Sequence, residues 1–385
     1  MIDVVILSNG PGEVTTWVYP VVRAITDRKE LLWRISVVLS PCSHASGRET
    51  TIVQSFPGVA RVLSPDRFWD FLWWGKTPGW DWCERGVVVF LGGDQFFTVA
   101  IGRRLGYKTL IYAEWEARWV PWIDRFALRH SGIAAGGKGV VIGDLMADIT
   151  DPVPRSGNYL VFLPGSKGMK LRQGVPLVLA VADRLAGIYP DLEFYIALAP
   201  TLTPPDLVSY GGRLEGEYLL APGGTRLKIH RAFPATELFL GAKLCITTVG
   251  ANTAQLAALA VPMIVLLPTN QWDAMQAWDG LPGILSNLPG IGRSISSLIN
   301  RLVVSQIKRR GKFLSWANIY AQKPIVPEYI EPLTPDLVAT YIQDLLDQPA
   351  KLDRMRQDLQ TFFPRSQAGA KLVNTIEDLL GVSPL

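Results

Sequence analysis

Cysteine and histidine are both scarce in this chain of 385 residues, at three each. Cys42, Cys83 and Cys245 are scattered, odd in number and never spaced C-x-x-C. That argues against a disulfide framework or a cysteine zinc site, and for a reducing compartment. No apolar run approaches the roughly 18–20 residues needed to span a bilayer. Nor does the N-terminus read as a signal peptide: Met1-Ile-Asp-Val-Val-Ile-Leu-Ser8 carries an early acid and runs directly into a buried strand. A cytoplasmic protein is expected. The full G-x-G-x-x-G of a dinucleotide site is absent, and so are a fixed-period repeat and a low-complexity tail.

What is present is globular. Hydrophobic residues make up 48% and charged residues 19%, and the length suits two domains. A net charge of +4 and a pI near 8.9 suit an anionic ligand or an anionic membrane surface, although charge alone discriminates little. No nucleic-acid partner is expected.

Apolar runs alternate with amphipathic segments throughout, which predicts an α/β chain with parallel sheets. In the first half, strands are expected at 3–8, 34–39, 59–63, 86–91, 108–113, 125–129 and 139–142. The first ends in Asn9-Gly-Pro-Gly-Glu13, where Gly10 and Gly12 permit a tight turn and close backbone approach to a ligand. The fourth ends in Gly92-Gly-Asp-Gln95. A Pro/Gly-rich linker spans 151–157. The second half opens with a βαβ unit: a strand from Tyr159, the turn Pro164-Gly-Ser-Lys167, a helix carrying Leu177, Val181, Leu185 and Ile188, and a strand over 194–199. Further strands follow at 227–230, 244–248 and 262–267, and Val249-Gly-Ala-Asn-Thr253 opens an alanine-rich helix. Residues 269–300 read as irregular and 303–312 as basic. Domains are therefore expected at 1–150 and 158–348, with C-terminal helices over 349–385 packing back on the first.

Two Rossmann-like domains facing each other across a cleft suit the GT-B architecture of nucleotide-sugar enzymes. Helix N-termini carry unpaired N–H groups and about half a positive charge. Turns at Gly165–Lys167 and Gly250–Thr253 can thus cradle a pyrophosphate without a metal. No D-x-D, the usual mark of metal-dependent sugar transfer, occurs, so neither a metal nor a cofactor is expected. One segment is odd. Residues 64–85 hold Trp69, Trp73, Trp74, Trp80 and Trp82, flanked by Arg67, Lys76 and Arg85. Tryptophan favours surfaces that are apolar on one side and wet on the other, which fits a membrane or lipid-acceptor surface. Burial in the core or in an oligomer contact fits equally.

Several stretches, taken in order, resemble lipid-A-disaccharide synthases, inverting glycosyltransferases that use a UDP-activated sugar. Phe162-Leu-Pro-Gly-Ser-Lys167 is similar to their L-P-G-S-R. Thr248-Val-Gly-Ala-Asn-Thr-Ala-Gln-Leu-Ala-Ala258 with Val261-Pro-Met263 is similar to S-G-T-A-T-L-E-A and V-P-M. Trp316-Ala-Asn-Ile-Tyr-Ala321 and Ile325-Val-Pro-Glu328 resemble P-N-L-I-A and V-V-P-E, and Val141–Asp148 resembles V-G-H-P-L-V-D. Gly93-Asp94-Gln-Phe-Phe97 is similar to the D-x-P-D-F-N turn. The departures cluster in the first half. The opening loop is Ser8–Glu13 rather than G-E-A-S-G-D, Asp144 stands where G-H-P has its histidine, and Tyr112-Ala-Glu-Trp-Glu-Ala-Arg118 replaces Y-V-S-P-S-V-W-A-W.

The resemblance implies roles. Asp94 becomes the base that deprotonates the acceptor, with a helix N-cap as the alternative. Glu13 contacts acceptor or sugar, or caps the helix that follows it. Glu114 and Glu116 read as solvated loop acids. Gly165, Ser166 and Lys167 are expected on phosphate, and Gly250, Ala251, Asn252 and Thr253 on phosphate or ribose. The resemblance puts Glu328 on the ribose, with Asn318 on the same side. His44 reads as structural, and His230 as structural or as lining the donor site. The function implied is inverting transfer from a UDP-GlcNAc-like donor to a lipid or glycolipid acceptor. A peripheral protein on the cytosolic membrane face is implied, and a homodimer is a further expectation. Two alternatives stay open: a UDP-sugar 2-epimerase-like isomerase, against which the few histidines argue, and a non-catalytic UDP-sugar or lipid-binding protein.

Overall fold

The computed structural model describes residues 1–42, 45–148, 157–166, 168–269, 313–363 and 367–382. His44, Lys167, most of the 151–157 linker and the 270–312 stretch lie outside the described residues. The chain divides into two compact units, Met1–Thr150 with Arg365–Leu385, and Asp151–Pro364.

In the first unit, β1 (Ile2–Ser8), β2 (Trp33–Leu39), β3 (Val59–Leu63), β4 (Gly86–Phe90), β5 (Lys108–Ala113), β6 (Arg125–Leu128) and β7 (Gly139–Val141) form one sheet. Its order is β3-β2-β1-β4-β5-β6-β7, with every pairing parallel. β4, Gly-Val-Val-Val-Phe, is buried along its whole length, as a parallel strand covered on both faces must be. Strand order reverses between β1 and β4, so the loops leaving them, from Asn9 and from Leu91, flank the crevice where such sheets bind ligands.

The chain leaving β1 enters a helix at Pro11, passes through a π-helical turn at Val14–Val18 and continues as Tyr19–Thr26. The helix Ala368–Leu380 packs on that last segment. Gly369 makes the crossing close: a Cβ there would lie 3.0 Å from the Cβ of Ala24. Its N–H donates to Asp148 Oδ2 at 2.7 Å, and Arg28 Nη1 donates to Glu377 Oε2 at 2.5 Å. The helix Pro349–Phe362, grouped with it by sequence, packs instead in the second unit, against the helices Pro335–Leu346, Ala251–Ala258 and Trp316–Ala321.

At the amino end of this sheet, Asp3 is fully buried. Its carboxylate accepts from Arg34 Nε (2.7 Å), Arg34 Nη2 (3.1 Å), Cys83 N (2.7 Å) and Tyr107 Oη (2.7 Å). A buried charge survives only with such pairing.

The tryptophan segment sorts itself by helical spacing. The helix Phe68–Trp74 turns Phe68, Phe71 and Leu72 into the core and leaves Trp69, Trp73 and Trp74 at 47%, 55% and 71% exposure. Trp80, expected on that surface, is half-buried against the core with Trp82, under the Arg61 guanidinium at 4.7 and 5.0 Å from the two rings. Cation–π contact and burial account for it.

The second unit holds β8 (Tyr159–Leu163), β9 (Glu193–Ala197), β10 (Arg213–Glu215), β11 (Tyr218–Leu220), β12 (Arg226–His230), β13 (Leu244–Thr248), β14 (Met263–Pro268) and β15 (Glu328–Glu331). Their order is β10-β11-β12-β9-β8-β13-β14-β15, parallel except at the β10–β11–β12 edge. The reversal falls between β8 and β13, so the Gly165 and Gly250 turns again leave the two strands at the switch point.

Candidate functional site

In the second unit, Pro164 and Gly165 follow β8, and Val249 and Gly250 follow β13. Gly165 has φ +101° and Gly250 φ +151°, backbone that only glycine adopts without strain. Each turn feeds a helix, Gly168–Ala186 and Ala251–Ala258, and neither helix has an acidic residue in its first turn. Their N-terminal N–H groups and dipoles are therefore not neutralised by carboxylates of their own first turns. Lys170 joins the two turns. Its Nζ donates to Val249 O at 2.7 Å. A Cβ on Gly165 would lie 3.1 Å from its Cδ, and one on Gly250 3.5 Å from its Nζ. Two glycine turns, two helix N-termini and one ammonium thus converge, which is the chemistry of a diphosphate cradle.

The other expected donor residues divide. Ser166 is exposed, and Ala251 and Asn252 are half-buried at the helix start. His230 ends β12, and its Nε2 is buried without a partner among the described residues. Burial lowers its pKa, which keeps the ring neutral at neutral pH. Thr253 does not offer its hydroxyl to a ligand. It is fully buried, and Oγ1 donates to Gly250 O (2.9 Å) and accepts from Trp316 N (3.2 Å). Asn318 is likewise spent inside the protein: Nδ2 donates to Val326 O (2.8 Å) and Glu328 Oε1 (2.7 Å), and Oδ1 accepts from Ile325 N (2.8 Å) and Val326 N (2.9 Å). Glu328 closes the network. Oε1 also accepts from Ser315 N (2.9 Å) and Ser315 Oγ (2.6 Å), and Oε2 from Leu314 N (2.9 Å). Asn318 and Glu328 therefore brace the start of the helix Trp316–Ala321, which Thr253 ties to the Gly250 turn.

In the first unit, Gly10 caps the helix after β1, and around Gly12 a Cβ would meet nothing within 4 Å. Glu13 lies over both loops at the switch point. A Cβ on Gly10 would be 2.5 Å from its Oε2, and one on Gly92 would be 3.2 Å from its Cβ and Cγ and 2.9 Å from Asn9 Oδ1. Among the described residues, Ser8 Oγ, Asn9 Oδ1 and Trp17 Nε1 are buried without partners. Asp94 is exposed, and its Oδ1 accepts from Phe96 N at 2.8 Å, an Asx turn just ahead of the helix Phe96–Leu105, whose N-cap is Gln95.

Three residues do more than the motifs assign them: Glu114 and Arg129 in this unit and Lys170 in the second. Glu114, read as a solvated loop acid, has a side chain only 17% exposed and accepts from Arg129 Nη1 at 2.8 Å. Arg129 is 5% exposed, and its Nη2 donates to Asp144 Oδ2 at 2.6 Å. Burial, then Asp144 and Glu13, push the Glu114 pKa up to about 7 against the opposing pull of Arg129. Gln95 ties the neighbouring loop down: its Nε2 donates to Glu116 O (3.0 Å) and its Oε1 accepts from Arg118 N (2.8 Å). Glu116 itself is exposed. Lys170 is the third. Arg129 follows β6 directly and Lys170 falls in the first turn after a glycine loop, signals of position that composition does not carry.

Two Rossmann-like α/β units in series, each with glycine turns at its strand reversal, define the GT-B fold. Solved structures agree in fold. The chain superposes on a UDP complex of Staphylococcus aureus MnaA (TM-score 0.52, 12% identity, 100% of this chain and 98% of that one). It also superposes on the calicheamicin glycosyltransferase CalG4 (TM-score 0.51, 13% identity, 100% of both chains). No family model matches the sequence. Curated relatives do. Lipid-A-disaccharide synthase of Anaeromyxobacter sp. (strain K) is 24% identical over 60% of this chain and 51% of its own. That of Geobacter sulfurreducens is 25% identical over 51% and 41%, respectively. The chain spans about half the length of the curated relatives it matches. It is a divergent, lipid-A-disaccharide synthase-like protein of the GT-B fold.

Proposed function

We propose that this chain is an inverting, metal-independent glycosyltransferase. It moves a sugar from a UDP-GlcNAc-like donor to a lipid or glycolipid acceptor at a membrane surface. The observation that carries the reading is the second-unit cradle, where Lys170 bridges the Gly165 and Gly250 turns between two helix N-termini. A diphosphate leaving group needs that concentration of donors and positive charge, and it needs no metal to be held there.

Two groups of aromatic rings in the first unit support the lipid side. Trp73 stacks on Trp69 (6.4 Å between ring centroids) and Trp69 meets Phe97 (6.1 Å); in the second group Phe96 meets Trp119 (5.2 Å) and Trp119 meets Trp122 (5.5 Å). Trp119 and Trp122 are 37% and 50% exposed, and exposed Arg67, Lys76, Arg103 and Arg104 lie in the same segments. Large amphipathic rings beside cations suit an anionic lipid interface. No described helix is long and apolar enough to cross a membrane.

The test is the melting temperature with UDP, UDP-GlcNAc, UDP-glucose, UDP-galactose and NAD, followed by product analysis on vesicles carrying a glycolipid. Stabilisation by UDP compounds, through mass action, and a lengthened glycolipid are expected. Stabilisation by NAD alone would refute the donor assignment. An epimerised nucleotide sugar with no glycolipid product would refute transfer.

A further inference from the structure

The transfer proposed above requires the acceptor hydroxyl to lose a proton. Asp94 is poorly placed for it, being exposed and engaged by the Phe96 N–H. Glu114 is better built for the task. It stands immediately after β5, and its Oε1 is held by Arg129, whose other terminal nitrogen is fixed by Asp144. Trp115 lies over the same guanidinium at 5.2 Å. The groups that act on Glu114 come from several elements: Arg129 after β6, Asp144 after β7, Glu13 on the helix after β1, and Trp115 beside it. Two carboxylates thus share one buried guanidinium, and Glu13 adds its negative charge to the surroundings of Glu114, an excess that favours the protonated form of Glu114. Trp17 packs edge-on against Tyr112, the residue two before Glu114, at 5.6 Å. With Asn9 it supplies buried polar atoms that have no partner among the described residues, groups able to hydrogen-bond a hydroxyl-rich acceptor.

We propose that Glu114 is the proton acceptor of the transfer and that Arg129 positions it. The assignment rests on the transferase reading. In the step, a lone pair of the acceptor oxygen forms the bond to the anomeric carbon. The bond from that carbon to the diphosphate oxygen breaks, and its electron pair leaves with UDP. The hydroxyl proton passes to the Glu114 carboxylate.

The experiment measures turnover of UDP-GlcNAc across neutral pH, with phosphatidylglycerol vesicles carrying a monoglycosyl diacylglycerol. It uses the full chain as wild type, Glu114→Gln, Glu114→Asp and Asp94→Asn. The wild-type rate is expected to rise through about pH 7 as Glu114 gives up its proton. Glu114→Gln should lower kcat by roughly 100-fold or more and abolish that rise. It should leave KM for UDP-GlcNAc and the UDP-induced melting shift unchanged, the latter showing that the variant folds. Glu114→Asp should restore part of the rate, and Asp94→Asn should retain most of it. A Glu114→Gln protein that keeps both kcat and the pH dependence overturns the assignment, as does loss of turnover in Asp94→Asn alone. Absence of turnover in the wild type overturns the transferase reading itself, and the assignment with it.

Discussion

Lys170→Met is the sharpest perturbation of the second-unit cradle, because methionine keeps most of the apolar stem and removes the ammonium. In the structure one Nζ hydrogen goes to Val249 O; the ammonium lies beside the Gly250 turn and its stem beside the Gly165 turn. A charge-assisted hydrogen bond to phosphate contributes about 1.5–3 kcal/mol. UDP affinity should therefore fall roughly 10- to 150-fold. The site is half-buried, so salt should recover little of the difference. The tether to Val249 is lost too, and that part is separable: without UDP the second unit should melt only about 2–4 °C lower, the effect of about 1 kcal/mol. Calorimetric titration of UDP into both proteins, with a melting curve of each alone, gives the two quantities. A dissociation constant within about threefold of wild type, against the tenfold that 1.4 kcal/mol makes, would refute the idea that Lys170 meets the diphosphate. Its role would then be to hold the Gly250 turn.

Asp3→Ala breaks a buried ion pair and leaves Arg34 and Tyr107 without the carboxylate, so it should cost about 3–5 kcal/mol, read as a large drop in the first unit's melting temperature. Its folded pKa is depressed, so this stability is present above the unfolded carboxylate pKa of about 3.9 and fades as pH falls through the lower folded value; Asp3→Asn should flatten that acid slope in a melting series. Trp69→Ser with Trp73→Ser should weaken co-sedimentation with anionic vesicles by roughly tenfold, about 1.4 kcal/mol, with no change in melting temperature beyond a degree or so. Glu328→Ala strips partners from Ser315, Leu314 and Asn318 and should lower the second unit's stability by about 2–4 kcal/mol even without nucleotide, measured by urea titration.

Most strands of both sheets were legible because a doubly covered parallel sheet forces runs such as Val87-Val-Val-Phe90, and the glycine clusters that end them mark the switch points; β15 was not among them. The β10–β11 edge was not legible. Its strands are three residues each, joined across Gly216 and Glu217, too short for any period to show. The helix Phe68–Trp74 was hidden for a different reason. Its exposed face is as aromatic as its buried face, so the contrast that normally reveals an amphipathic helix is missing.

What was legible at Gly165 and Gly250 is the turn and not a role: each glycine follows an apolar strand, and in the structure each takes a positive φ, +101° and +151°. Asn318 and Glu328 sit on equally recognisable stretches, yet the motif does not say which partner each atom takes. In the structure their donors and acceptors engage Ser315, Ile325 and Val326. Glu114 shows the converse. Nothing in Tyr-Ala-Glu-Trp-Glu distinguishes it from Glu116, and both follow the same strand. What separates them is Arg129, which arrives from the next strand and buries with one of them. A pKa shift is a property of that tertiary encounter, so a proton acceptor on a strand end becomes visible only once the neighbouring strand is in register.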